Sequence, residues 1–293
     1  MATGIVSVGL HLAGFEVLSK LLMVLDVAVW LSFAAVFAYR FLDKRPQWKT
    51  EASTPPALTG VAGTCVLGTR LALFGWTWAA VALLIVATAV WPVLLLAVVR
   101  HWRRGMPGAV FLVTVATQGL AVLAGTLAGI WTLDWLAGIA LALLALGLLL
   151  YGQAMFRFDL RQVRTGAGDQ WVAGGALAIS ALAGSKLTAF PDWNHAGHSI
   201  LRWLTLVVLF VALGWYAVLA AAELRWPRPG YDIRRWATVF PMGMSAAACL
   251  STATAAGVGW LDPLGRVLLW VGFAAWLATA YGLAGQWRRA VET

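Results

Sequence analysis

Apolar and polar positions alternate along this chain on the scale of whole segments rather than single residues. Long apolar runs fall at about 2–14, 17–40, 57–74, 77–100, 108–129, 132–156, 171–189, 199–223, 236–256 and 264–287. Most are near the roughly 20 residues that an α-helix needs to cross a bilayer. The pattern predicts an all-α membrane protein of ten transmembrane helices. Even-numbered runs end in similar basic and aromatic punctuation: YRFLDK, RHWRR, FRFDLR, LRWPR and QWRR. Odd-numbered runs carry a recurring element near their far ends, beginning at Gly9, Gly68, Gly125 and Gly184, at offsets of 59, 57 and 59 residues. A fifth copy falls near Thr252 to Thr254. The repeat divides a single transmembrane domain, 1–293, into five hairpins at about 1–45, 46–104, 105–164, 165–230 and 231–293.

The two classes of run differ in side-chain size. TGVAGTCVLGTRLA (59–72) and GGALAISALAGSK (174–186) are rich in small residues, whereas WPVLLLAVV (91–99) and LTLVVLFVALGWY (204–216) are bulky. Bulky apolar side chains suit lipid, and small ones suit close helix approach or a water-accessible passage. The expectation is an inner ring of odd helices around an axial pore, sheathed by an outer ring of even helices. A tightly packed bundle without a pore is the other reading of the same pattern.

Composition narrows the class. Of 293 residues, 61% are hydrophobic and 11% charged, too few charges to cover a soluble surface. The 18 Trp suit the membrane–water interface. The net charge of +9 is a topological signal rather than a nucleic-acid footprint. Sixteen of the 21 basic residues lie in the segments after even runs: from Arg40 to Lys49, Arg100 to Arg104, Arg157 to Arg164, Arg225 to Arg235, and Arg288 to Arg289. The positive-inside bias places these segments and both termini in the cytoplasm of an inner (plasma) membrane. No cleavable signal peptide is visible at Met1.

The remaining basic residues are Lys20, Arg70, Lys186, Arg202 and Arg266. Arg70 and Lys186 share one repeat position, which His11 occupies in the first repeat. Together they would form an anion-attracting pore mouth, since cations held in a membrane usually face a cavity and mark an ion pathway. Snorkelling, or pairing with Glu16, Asp134, Asp192 or Asp262, explains them without function. Asp26 lies deep in the second run with no partner at helical spacing, and is a possible protonatable group. Pro241 interrupts the ninth run beside Phe240. It frees a backbone carbonyl and bends the helix, which could turn the phenyl ring into the axis as an apolar plug.

Other chemistry is thin. Cys65 and Cys249 lie in apolar runs without metal or disulfide spacing. His195 and His198 are two residues where a metal needs more. Ser245 lacks a following histidine to act as base, and there is no lysine-bearing phosphate loop. No cofactor, metal or enzymatic activity is expected.

The stretches MATGIVSVGLHL (1–12), TGVAGTCVLGTRL (59–71), WVAGGALAISALAG (171–184) and RRWATVFPMGM (234–244) resemble the tellurite-resistance/dicarboxylate transporter family. That family includes plant slow anion channels and fungal malate permeases. The resemblance implies a pore lined by the odd helices, a gating phenylalanine for which Phe240 is the matching position, and a homotrimer with one pore per subunit. Its members usually have more chain before the MATG stretch. Here about 14 residues precede Glu16, or about 21 Å of helix against a core of about 30 Å, so the first stave is expected to be short or incomplete. The function expected is passive or gradient-driven permeation of small anions such as chloride, nitrate, malate-like dicarboxylates or oxyanions. The alternatives are a proton-coupled carrier of dicarboxylates or tellurite that uses Asp26, and a non-transporting membrane scaffold.

Overall fold

The structure, a computed structural model, describes residues 1–228 and 230–291; Pro229 and the last two residues of the fifth predicted hairpin lie outside the described residues. Ten helices dominate: α1 (Ala2–Leu12), α2 (Glu16–Asp43), α3 (Leu58–Leu73), α4 (Thr77–Val99), α5 (Leu112–Trp131), α6 (Asp134–Met155), α7 (Val172–Thr188), α8 (His195–Arg225), α9 (Trp236–Ala256) and α10 (Leu261–Val291). No strand occurs among the described residues. Eight of the ten, extended in three cases by an adjoining 3-10 turn, are long and apolar enough to cross a membrane. The other two are α1, with 11 residues, and α7, with 17. The chain is therefore a multi-pass membrane protein.

The odd-numbered helices touch one another in sequence, and α9 returns to α1, so the five close a ring. Each even-numbered helix packs against two consecutive members of that ring. Burial follows the contrast in side-chain size. The most apolar window of α5 is wholly buried and that of α9 78% buried, against 17% in α2 and in α4. Small residues set the ring's spacing. A Cβ on Gly175 of α7 would lie 2.7 Å from Cγ of Pro241 on α9, and one on Gly119 of α5 would lie 3.1 Å from Cβ of Cys65 on α3. A side chain at Gly175 would force Pro241 to shift, and one at Gly119 would press on Cys65.

Four inner helices are entered through 3-10 turns, at Pro55–Ala57, Gly108–Phe111, Asp169–Trp171 and Ile233–Arg235. These turns form a repeated element that the apolar pattern does not reveal. They are knitted together: Ala109 N–H donates to Asp169 Oδ2 at 3.2 Å, and Thr238 Oγ1 donates to Gly168 O at 3.2 Å. Asp232 caps the turn into α9 by accepting from Arg234 N–H at 2.8 Å and from its guanidinium at 3.0 and 2.8 Å. Those hydrogen bonds hold its carboxyl down at about 2, so the cap is charged at any physiological pH. The segment between α2 and α3, read from sequence as a polar connection, contains a further short helix at Arg45–Ala52.

The acids at the starts of the even helices do not act as side-chain N-caps. Glu16 and Asp262 lie in first turns without capping hydrogen bonds to backbone; Asp262 instead pairs with Arg266 one turn on, at 2.8 Å. Asn194 is the side chain that caps α8, accepting from Gly197 N–H at 2.7 Å.

A Cβ on Gly108 would lie 2.2 Å from the carbonyl oxygen of Asp169, whereas one on Gly138 would meet nothing within 4 Å. Gly108→Ala is expected to lower stability by about 1–3 kcal/mol, because backbone on both sides must move. Gly138→Ala should be neutral, or gain up to about 1 kcal/mol from helix propensity. Thermal unfolding of the two variants in one detergent checks the contrast.

Candidate functional site: the axis of the inner ring

All five inner helices contribute to one small cavity on the ring axis. Val8 of α1, Thr69 of α3, Val122 of α5, Ile179 and Leu182 of α7, and Met244 of α9 are among the residues lining it. The space open to a water-sized sphere is about 10 Å³, roughly one water molecule, and its walls are almost wholly apolar. Thr69, the hydroxyl residue on this wall, donates to Cys65 O at 2.9 Å and so offers the axis no free donor.

The helical repeat places other residues relative to this cavity. Phe240 precedes Met244 by four residues, and so lies on the same face of α9 one turn nearer its N-terminus. It is completely buried, and Pro241 beside it packs onto Gly175. The missing N–H of Pro241 leaves the Ala237 carbonyl without its helical donor. Lys186 follows Ile179 and Leu182 at intervals of seven and four. It therefore continues the axial face of α7 beyond the cavity's other end. Lys186 is partly buried, its Cβ lies near the Gly125 backbone of α5, and it makes no hydrogen bond or ion pair among the described residues. Beside it, Ser185 and Ser251 share a hydrogen bond of 2.8 Å between α7 and α9.

Arg70 and His11 occupy a different setting. Arg70 is 1% exposed and leans toward α2, where its Nε donates to Ser19 Oγ at 2.9 Å and its Nη2 to Glu16 Oε2 at 3.4 Å. The other oxygen of Glu16 bonds His11 Nδ1. Ser19 and Ser7 are cross-linked as well: each hydroxyl donates to the other's backbone carbonyl at 2.7 Å. Glu16 thus gathers two of the three same-level basic residues into one cluster between α1, α2 and α3, and Lys186 is left on the axial face. The sequence offers Glu16 as one of four acids that could pair with these cations; which ones it takes depends on two neighbouring helices, α1 and α3, that spacing alone does not bring together. Of the other basic residues at this level, Arg202 donates to Ala256 O at 2.9 Å and Arg266 to Ala13 O at 3.0 Å.

Asp26 is 3% exposed, midway along α2. Its carboxylate lies over the first turn of α1, with Oδ1 3.5 Å from the Met1 nitrogen and Oδ2 where a Cβ on Gly4 would fall, at 2.4 Å. Among the described residues, no three His, Cys, Asp or Glu are grouped to hold a metal, and His195 and His198 start α8.

A closed ring of small-residue helices, sheathed by apolar ones and enclosing an axial cavity, defines a multi-pass membrane protein built around its own axis. Residues 1–284 match the voltage-dependent anion channel family (SLAC1), and the chain belongs to that family. This agrees with the resemblance read from the residues at 1–12, 59–71, 171–184 and 234–244. The chain is also similar to an uncharacterized membrane protein recorded from two strains of Mycobacterium tuberculosis, CDC 1551 / Oshkosh and ATCC 25618 / H37Rv. Each match is 30% identical over 121 residues, covering 37% of this chain and 59% of the relative.

Removing Glu16 leaves a nearly inaccessible guanidinium without its counter-charge. Glu16→Gln is expected to cost about 1–3 kcal/mol, while adding Arg70→Met to Glu16→Gln should recover much of the loss. A double-mutant cycle on thermal stability checks this; strictly additive effects would mean that the two residues do not interact.

Proposed function

We propose that this protein is an anion channel or transporter of the inner (plasma) membrane. In this reading all ten helices cross the bilayer as five hairpins, and small anions or dicarboxylates pass along the axis within each subunit. The observation that carries it is the axial sequence of Phe240, Met244, the cavity and Lys186. It combines an apolar obstruction at one end with an unpaired cation at the other. Family membership supports anions as the cargo.

The cavity, at about one water, is too narrow for a hydrated anion, so permeation requires the axis to widen. Phe240 is the gate in this proposal, and the break in hydrogen bonding at Pro241 is where α9 gives. A purely apolar constriction excludes ions by excluding water, and so needs no charge of its own. Lys186 draws anions to the far mouth and repels cations. Arg70 and His11, shared with Glu16, contribute a weaker field there. The driving force is the electrochemical gradient; one charge crossing 100 mV corresponds to about 2.3 kcal/mol. In this reading the end with the 3-10 turns and both termini face the cytoplasm, as the positive-inside bias of the basic segments beside those turns supports. Assembly as a homotrimer with one pore per subunit follows from the family resemblance.

The test is anion flux into proteoliposomes under an imposed voltage without a pH gradient. Phe240→Ala should raise chloride, nitrate or malate flux by about tenfold or more, equivalent to roughly 1.4 kcal/mol off the barrier. Lys186→Met, made in the Phe240→Ala background, should lower that flux by about tenfold through loss of electrostatic focusing. No flux from folded protein of either kind would overturn the channel reading.

One observation favours the proton-coupled carrier instead, namely the buried carboxylate of Asp26 within the apolar span of α2. In that case flux should require a pH gradient and vanish in Asp26→Asn. A channel should be indifferent to the gradient and should lose no more in this variant than its stability explains. A scaffold predicts no flux under any gradient.

A further inference from the structure

Near the end of the molecule opposite Lys186, arginines are paired selectively. Arg40 pairs with Glu51, Arg228 and Arg235 share Glu223, and Arg234 pairs with Asp232. One concavity differs. Between the ends of two lipid-facing helices, α4 and α6, Trp102, Arg103, Arg104, Phe156 and Arg157 line a surface hollow of about 520 Å³. It contains three guanidiniums and no carboxylate. Arg103 and Arg104 make no side-chain ion pair or hydrogen bond among the described residues. Arg157 lies over the Trp102 ring, 4.5 Å from its centroid, and donates only to Gln153, at 2.9 and 3.1 Å. The nearby Asp159 is occupied in its own turn, accepting from Arg161 N–H at 3.0 Å.

The two segments that line the hollow are tied to each other. Met106 N–H donates to Arg157 O at 2.7 Å and Asp159 N–H to Met106 O at 2.9 Å, a two-bond bridge that ties the α4–α5 connection to the end of α6. The helix ends that lead to it are apolar and uncovered: Phe156 of its lining is 83% exposed, and Leu96 in the last turn of α4 and Leu149, seven residues before Phe156 along α6, are exposed too. A ligand that fits carries a negative, oxygen-rich group for the arginines, joined directly to hydrocarbon for those helix ends. Free phosphate satisfies only the first requirement, and a neutral lipid only the second.

We propose that this hollow is a binding site for the phosphodiester headgroup of an anionic phospholipid. Arg103 and Arg104 engage the phosphate, Arg157 is held at its edge by Trp102, and the acyl chains run along Leu96 and Leu149. The site is independent of the axial gate, and its test does not depend on transport.

The experiment titrates the purified full chain in neutral detergent with phosphatidylglycerol or phosphatidylcholine, reading retained lipid by native mass spectrometry. Phosphatidylglycerol should be retained in preference to phosphatidylcholine, and excess inorganic phosphate should not displace it. Arg103→Gln with Arg104→Gln should weaken retention by about 30-fold, taking about 1 kcal/mol for each basic residue at the surface. The charge-matched control, Arg225→Gln with Arg288→Gln, should change it less than about twofold. Should the double variant fail to fold, Arg104→Gln alone breaks no contact and should weaken retention by about fivefold. An equal loss in the control pair would overturn the proposal in favour of diffuse surface charge. Full displacement by phosphate would assign the hollow to a free anion, and equal retention of phosphatidylcholine would reduce it to ordinary lipid contact.

Discussion

Close approach of the inner helices is the constraint on which everything else depends. Within lipid, apolar surface gains little by leaving one hydrocarbon environment for another, so helix association rests on van der Waals contact and on hydrogen bonds between helices. That contact is available only where backbones can come near. Gly175 under Pro241, Gly119 under Cys65 and Gly243 against Ile5 and Val6 of α1 supply it here. Where the five helices meet on the axis, the side chains of Val8, Val122, Ile179, Leu182 and Met244 nearly fill the centre and leave a space of about one water.

A second constraint is electrostatic. A guanidinium as enclosed as that of Arg70 is tolerated only with partners, and the structure provides Glu16, Ser19 and the face of Phe74. This cluster fixes the first outer helix, α2, against two inner ones, α1 and α3. It also removes most of the free positive charge that a simple count of basic residues would assign to the axis. Lys186, without a carboxylate, stands apart from it on the axial stripe.

Much of this organisation was legible in the residues. Alternation of small and bulky runs separated the ring from its sheath, since side-chain size is itself the physical cause of that separation. Repeat spacing put His11, Arg70 and Lys186 at one level. It could not distinguish their surroundings, because a repeat fixes height along the axis while neighbours from other helices fix direction. Asp26 had no partner at helical spacing; its neighbour, the first turn of α1, is reached through space. The 3-10 entries also escaped notice, as their residues read like ordinary loop punctuation. The hollow between α4 and α6 combines two basic segments some fifty residues apart, each of which alone marks only a helix end.

The ring has one seam that unites distant parts of the chain. Trp276 on α10 donates to Thr3 on α1 at 3.1 Å, across 273 residues, and Arg266 reaches the Ala13 carbonyl across 253. Every other inner contact joins neighbouring hairpins and can form as each pair emerges from the ribosome. This one awaits the last. Before the last hairpin the inner helices can form only an open arc, with flanks of α1 and α7 uncovered, and α9 closes it by packing on both. Such a step makes closure of the ring depend on completeness: a chain interrupted before its final hairpin lacks the contacts of α9 with α1.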